Sequence, residues 1–404
     1  MEITVSDRDA FALVVVAFAA VLAPLVSDRL AGRVLIPSVV LEVVLGVLIG
    51  PEVLGLVGPG PVLAGASQIG MAMLFFLAGY EIDLRHAAGR GTGLAAVSWL
   101  LSFGLAAGLA ALAGAGEAVL IVAIGLSSTA LGTILPIARD GAVLAGPIGP
   151  RLMAVGAVGE FAPIALLALC FSQGRHSGRT TVVILVAGLA VAAAALGMLR
   201  RSERVSRLLS ATLGTSVQFA IRLSILALSA AVLLAAEVGV DIALGAFAAG
   251  AVMRLILRAI EEEEAEQVGA KLDGIGFGWL IPIFFVYTGV TFELGELLSS
   301  PVALALVPVF LALFALVRGA VTYLVFARSG LDRAGRAGLS WFSSCQLPIV
   351  VIAVDVGVGR GLIGAAVGSA MVGAAMLSVL LFPLLALKAA ERVGVGRSAP
   401  GSAS

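Results

Sequence analysis

Apolar runs of about twenty residues alternate with short polar segments along almost the whole chain. About thirteen such runs can be set off, at 9–28, 34–56, 61–80, 93–114, 117–138, 150–171, 180–199, 213–236, 239–257, 275–292, 302–327, 337–357 and 361–387. At about 1.5 Å per residue these lengths match a hydrocarbon layer roughly 30 Å thick. The pattern predicts an all-α polytopic membrane protein with about 13 transmembrane helices. The connections are too short for a folded extramembrane domain. An odd number of spans puts the two termini on opposite sides.

Composition agrees with this. Of 404 residues, 60% are hydrophobic and 12% charged, which excludes a soluble globular protein. The 50 glycines suit helices that pack closely inside a bilayer. Formal net charge is zero, so no nucleic-acid partner is expected. Cys170 and Cys345 both fall in apolar runs, and no disulfide is expected between them. The start, MEITVSDRDA, is polar and acidic, without the basic region of a signal peptide, so the first span reads as a retained helix. Residues 396–404 read as a disordered tail.

The basic residues give an orientation. With the N-terminus outside, nineteen Lys and Arg fall on the cytoplasmic side and four outside. This predicts a multi-pass protein of the cell membrane with a cytoplasmic C-terminus. The longest cytoplasmic connection, 258–274, reads as an amphipathic helix. Its run Glu261 to Glu264 is read first as a solvated face, and second as a pH-sensing or gating element.

Charge inside the spans carries the chemistry. Glu160 stands in MAVGAVGEFAPIALLALCFS, about ten residues from the basic end of its span and so roughly 15 Å deep. An ionised carboxylate there costs several kcal/mol unless it is compensated. Glu42, Arg222 and Arg318 lie at similar depths in their spans, roughly 12–15 Å. Two acids and two bases in one layer can neutralise each other, and Glu42 with Arg222 is a possible structural ion pair. Two polar stretches reach the same layer. Span 5 carries Ser127, Ser128 and Thr129; span 12 carries Ser343, Ser344, Gln346 and Pro348. Pro348 removes a backbone donor and breaks or kinks its helix. Hydroxyls beside broken backbone are how transporters build midplane cation sites, although such hydroxyls also bond back to their own turn. Spans 5 and 12 lie seven apart. With span 7 as a linker, two six-helix halves of inverted orientation follow.

These residues carry a resemblance. LEVVLGVLIGPEVLGL at 41–56, IGMAMLFFLAGYEIDL at 69–84, LSSTALGTILPIARDGAVL at 126–144, GVDIALGAFAAGAVM at 239–253 and GFGWLIPIFFVYTGVTFEL at 276–294 occur in family order. The chain resembles the membrane domain of the monovalent cation:proton antiporter-2 family, of the sodium/hydrogen exchanger type. The resemblance implies the sodium/proton antiporter fold: inverted six-helix repeats with two crossed broken helices, here spans 5 and 12. It implies a panel (dimer) part at about 9–80 and 213–292, a core (transport) part at about 93–171 and 302–387, a linker helix at about 180–199, and a homodimer. It carries the binding carboxylate over to Glu160 and the span-11 basic residue to Arg318 as its charge compensation. The polar or acidic residue that usually precedes the carboxylate is here Gly159.

The implied function is exchange of Na+ or K+ for protons by alternating access. The expected ligands are Glu160, Ser127, Ser128, Thr129, Ser343, Ser344 and Gln346, with no other cofactor and only membrane lipid as a further partner. Arginine does not lose its proton in practice and glycine has none to lose. Glu160 alone then cycles its charge, and one-for-one electroneutral exchange is expected. The alternatives are an ion channel, a K+ efflux protein gated by a separate subunit, and a non-transporting structural or signalling descendant. A channel is disfavoured because no TVGYG-like filter is seen. An enzyme is disfavoured because there is no HExxH and because His86 and His176 fall in loops. GRGTG at 89–93 reads as a loop, since no strand precedes it.

Overall fold

The computed structural model describes residues 7–30, 37–81, 90–171, 218–238, 242–257 and 262–392. The linker helix expected at 180–199, the tail at 396–404, His86, His176 and Glu261 lie outside them. Every regular element among the described residues is helical. The helices are α1 (Asp7–Leu30), α2 (Ser38–Ile49), α3 (Pro61–Glu81), α4 (Arg90–Leu112), α5 (Val119–Ser127), α6 (Leu131–Asp140), α7 (Gly149–Phe171), α8 (Phe219–Val238) and α9 (Ile242–Leu257). They continue as α10 (Glu262–Ile275), α11 (Ile281–Val290), α12 (Leu294–Ser299), α13 (Pro301–Leu313), α14 (Val321–Val325), α15 (Arg333–Ser343), α16 (Pro348–Gly359) and α17 (Ala365–Glu391). Nine helical stretches among the described residues are long and apolar enough to cross a membrane, and three shorter apolar helices accompany them. The protein is a multi-pass membrane protein.

The chain divides into two compact units. Unit 1 holds Met1–Ala23, Glu42–Asp83 and Ile164–Thr291; unit 2 holds Pro24–Leu41, Leu84–Pro163 and Phe292–Ser404.

Unit 1 is built by close helix contact. α3 packs along α9 and α11, and α8 along α9. The α3–α9 contact is reciprocal: a Cβ at Gly79 would run into the Phe247 carbonyl, and one at Gly250 into the Phe76 carbonyl. The two backbones touch, which requires glycine at both places. Towards the other end of α3, Val16, Ala19, Ile49, Leu63, Ile283 and Val286 fill an apolar cluster.

Unit 2 is organised around interruptions. Span 5 is two helices, α5 and α6, and span 12 is two helices, α15 and α16, as the family resemblance implies for both and Pro348 predicts for the second. Asp332 caps α15, accepting from the Gly335 amide at 2.7 Å, and Pro348 opens α16 as its first residue. α15 and α13 pack along α17, while α5 packs against α4 and α16.

Three local readings change. The apolar run 34–56 is helical only over Ser38–Ile49 among its described residues. The chain turns after Gly50–Pro51, and Gly55 takes φ 63° with its amide on the Gly50 carbonyl at 2.8 Å. The amphipathic helix expected over 258–274 does not stop at the next span. α10 runs through a π-helical turn, Gly276–Leu280, straight into α11. A second π turn, Phe314–Ala320, joins α13 to α14.

Candidate cation and proton site

The two breaks of unit 2 are tied to each other. Ser128 is extended (ψ 169°), so the amides after it have no carbonyl four residues back. The Thr129 amide instead donates to Gly159 of α7 at 2.9 Å, and the Ala130 amide donates to Cys345 in the other break at 2.8 Å. Thr129 Oγ1 donates to the Ser343 carbonyl at 2.8 Å, and Gln346 Nε2 donates to the Leu126 carbonyl at 3.0 Å. The carbonyls left at the ends of α5 and α15 are thus satisfied across the crossing.

All eight predicted site residues of this unit are buried. Ser127, Thr129, Glu160, Arg318, Ser343, Ser344 and Gln346 are 0% exposed and Ser128 is 1% exposed. Several hydroxyls donate to their own turn: Ser127 to Ile124, Ser128 to Gly125, and Ser343 and Ser344 to Ser340. With the hydrogen so directed, the oxygen lone pairs remain available to a cation. Ser128 also reaches Gln346 Oε1 at 3.4 Å.

Arg318 is the largest fully buried side chain among the described residues. It sits inside the π turn Phe314–Ala320, a kind of distortion that recurs at functional sites. Its Nε donates to Thr129 Oγ1 at 2.8 Å, Nη1 to Ser98 Oγ at 3.4 Å, and Nη2 to the Val155 carbonyl at 2.9 Å. These acceptors are two hydroxyls and a peptide carbonyl, so the guanidinium is held by neutral groups from α4, the first break and α7.

Glu160 follows Gly159 on α7, and Gly159 meets both Thr129 and Arg318. The carboxylate-bearing turn is therefore part of the crossing. Ser344, at the end of α15, packs on the π turn that carries Arg318, since a Cβ at Gly319 would collide with its hydroxyl.

The remaining predicted pair does not form. Glu42 is buried at 5% exposure on α2, but Arg222 is exposed in the first turn of described α8. No ion pair joins them among the described residues. The depth count assumed a helix running unbroken through 213–236. Gln218, immediately before α8, has φ 46°, a conformation that a continuing helix does not contain.

The sequence reading also missed three residues. Ser98 of α4 holds both Arg318 and, at 3.1 Å, Thr322. Ser378 of α17 accepts from the Gln346 amide at 3.0 Å and so holds the second break. A lone serine in an apolar span gives little signal, because it normally bonds its own helix.

Two interrupted helices bonded at their breaks, beside a buried carboxylate, define a membrane domain of the secondary-transporter class. The sodium/hydrogen exchanger transmembrane family is matched over residues 16–387. This chain belongs to that family. It is 26% identical to YjbQ of Bacillus subtilis over 94% of this chain and 63% of that one. It is 25% identical to the Na(+)/H(+)-K(+) antiporter GerN of Bacillus cereus over 89% of this chain and 92% of that one. The fold is that of the sodium proton antiporter MjNhaP1 from Methanocaldococcus jannaschii: the TM-score is 0.67 at 14% identity, covering 96% of this chain and 98% of that one.

Proposed function

We propose that this chain exchanges a monovalent cation, Na+ or K+, for a proton by alternating access, with Glu160 as the shared site. The observation that carries this is the placement of one fully buried carboxylate in the α7 turn that meets the crossed breaks. The names of relatives such as GerN support the substrate class.

The mechanism follows from charge. Ionised Glu160 takes a cation, whose remaining ligands come from hydroxyl oxygens of Ser127, Ser128, Thr129, Ser343 and Ser344 and from Gln346. A proton competes for the same carboxylate. Either occupant neutralises it, and the neutral form crosses the apolar barrier far more readily than the bare anion. That asymmetry couples the two fluxes. Arg318 keeps its positive charge throughout, and with only Glu160 cycling, exchange is one for one and electroneutral.

In this reading unit 1 supplies the panel and dimer contacts and unit 2 the transport core, with the N-terminus outside and the C-terminus cytoplasmic. The test is cation-driven proton movement in proteoliposomes, with Na+, K+ and Li+ added in turn. Saturable exchange with one of these cations, unaffected by an imposed membrane potential, is expected. Flux that does not couple to protons would replace this reading with a channel. Exchange driven directly by voltage would remove the one-for-one stoichiometry.

A further inference from the structure

Gly159 lies against Arg318 and Thr129, an approach that the exchange reading does not use. Nη2 of Arg318 donates to the Val155 carbonyl, four residues before Gly159 and hence one helical turn below it on α7. A Cβ at position 159 would stand 2.6 Å from that Nη2, 2.6 Å from Thr129 Oγ1 and 2.8 Å from Thr129 Cβ. Carbon does not approach such atoms so closely, so something would have to move. The guanidinium is the end of a flexible side chain, but here it is bonded to three separate elements. Thr129 is fixed as well, through its amide on the Gly159 carbonyl and its hydroxyl on Ser343.

We propose that Gly159 and Arg318 are an interdependent pair: the bare α7 turn before Glu160 is the seat of the guanidinium, and Arg318 is the positioning residue that clamps that turn to the first break. Arginine suits the seat because its planar fork reaches Thr129, Ser98 and Val155 together. A lysine ammonium, a single point of charge, does not span all three. The consequence for transport rests on Glu160 as the exchange site; the seat itself does not.

The test is a double-mutant cycle on the purified full chain, read first by thermal melting, which needs no transport. Gly159→Ala is expected to lower the melting temperature. In an Arg318→Ala background, where the seat is vacant, the same change should cost half as much or less, the remainder coming from Thr129 Cβ. Equal losses in the two backgrounds would overturn the pairing. If Gly159→Ala alone yields no folded protein, recovery of folded protein by adding Arg318→Lys supports the seat, and failure of both Arg318→Lys and Arg318→Ala to restore it rejects the seat.

A second readout separates positioning from mere stability. At fixed pH, Gly159→Ala should raise the cation half-saturation roughly tenfold, and Arg318→Lys in that background should bring it back toward the Arg318→Lys value. An unchanged half-saturation in folded Gly159→Ala would show that the seat does not position Glu160. The exchange reading fails separately, if wild type moves no protons in any of the three salts.

Discussion

The two units differ in what makes their tightest contacts between helices. In unit 1 the closest contacts are made by what side chains lack: at Gly79 and Gly250 two backbones touch directly, and polar groups add single links beside them, such as Tyr80 donating to the Ala265 carbonyl at 3.0 Å. In unit 2 the contacts are made by polar groups that would be costly to bury alone. Thr129, Gln346, Ser378 and Arg318 bridge elements far apart in the chain. Close apolar contact is insensitive to ions. A hydrogen-bonded crossing is held by the same kinds of group that bind ions. On the proposed exchange reading, the difference says where a cation should be felt: in the polar crossing of unit 2 and not in the close backbone contacts of unit 1.

The sharpest way to break this comparison is Glu160→Gln, which is isosteric but cannot ionise. Cation-dependent proton movement should fall to the level of empty liposomes, with the melting temperature little changed. Residual coupled exchange would place the site elsewhere. Thr129→Val comes next, since it keeps the shape and deletes Oγ1. It removes a donor to Ser343 and an acceptor for Arg318, and should destabilise by about 1–3 kcal/mol. Exchange should slow with it, and denaturation and flux assays on the same preparation would check both.

Gly79→Ala tests the other unit. Overpacking there should cost about 1–3 kcal/mol in a thermal melt, while exchange per folded molecule stays at the wild-type rate. If Gly79→Ala instead abolished exchange and Thr129→Val spared it, the assignment of roles to the two units would be reversed. Ser128→Ala is the mildest. It gives up a 3.4 Å contact to Gln346 and a bond to its own turn, so a loss under about 1 kcal/mol and a small rise in cation half-saturation are expected.

Much of this was legible in the residues. Pro348 marked the break in span 12, because proline cannot continue a helix, while the break in span 5 came from the family resemblance, since hydroxyls that bond their own turn are also at home in an unbroken helix. The cost of charge in hydrocarbon pointed to four residues, of which Glu42, Glu160 and Arg318 are buried and Arg222 is exposed. The run 34–56 misled because apolar Val53, Leu54 and Leu56 look like helix interior, yet they are exposed in a turn. In a membrane, residues facing lipid and residues facing neighbours are equally apolar, so hydropathy does not mark a face. Arg222 misled for a related reason: counting along the sequence fixes depth only if the helix is continuous. The seat at Gly159 was invisible for another reason, since a missing side chain has no signature until the atom that fills its place is seen.

The π turn around Arg318 makes this span one residue longer than a straight α-helix between the same two ends. A single-residue deletion within Phe314–Ala320 therefore has a well-formed product available, an unbroken α-helix with both flanks still in phase. Elsewhere in the span the same deletion would rotate everything beyond it by about 100°. Here it would change the facing of the π-turn residues alone, Arg318 among them. Chain length at this point thus sets the aim of one arginine, and a one-codon change could switch the clamp off while the rest of the helix keeps its neighbours.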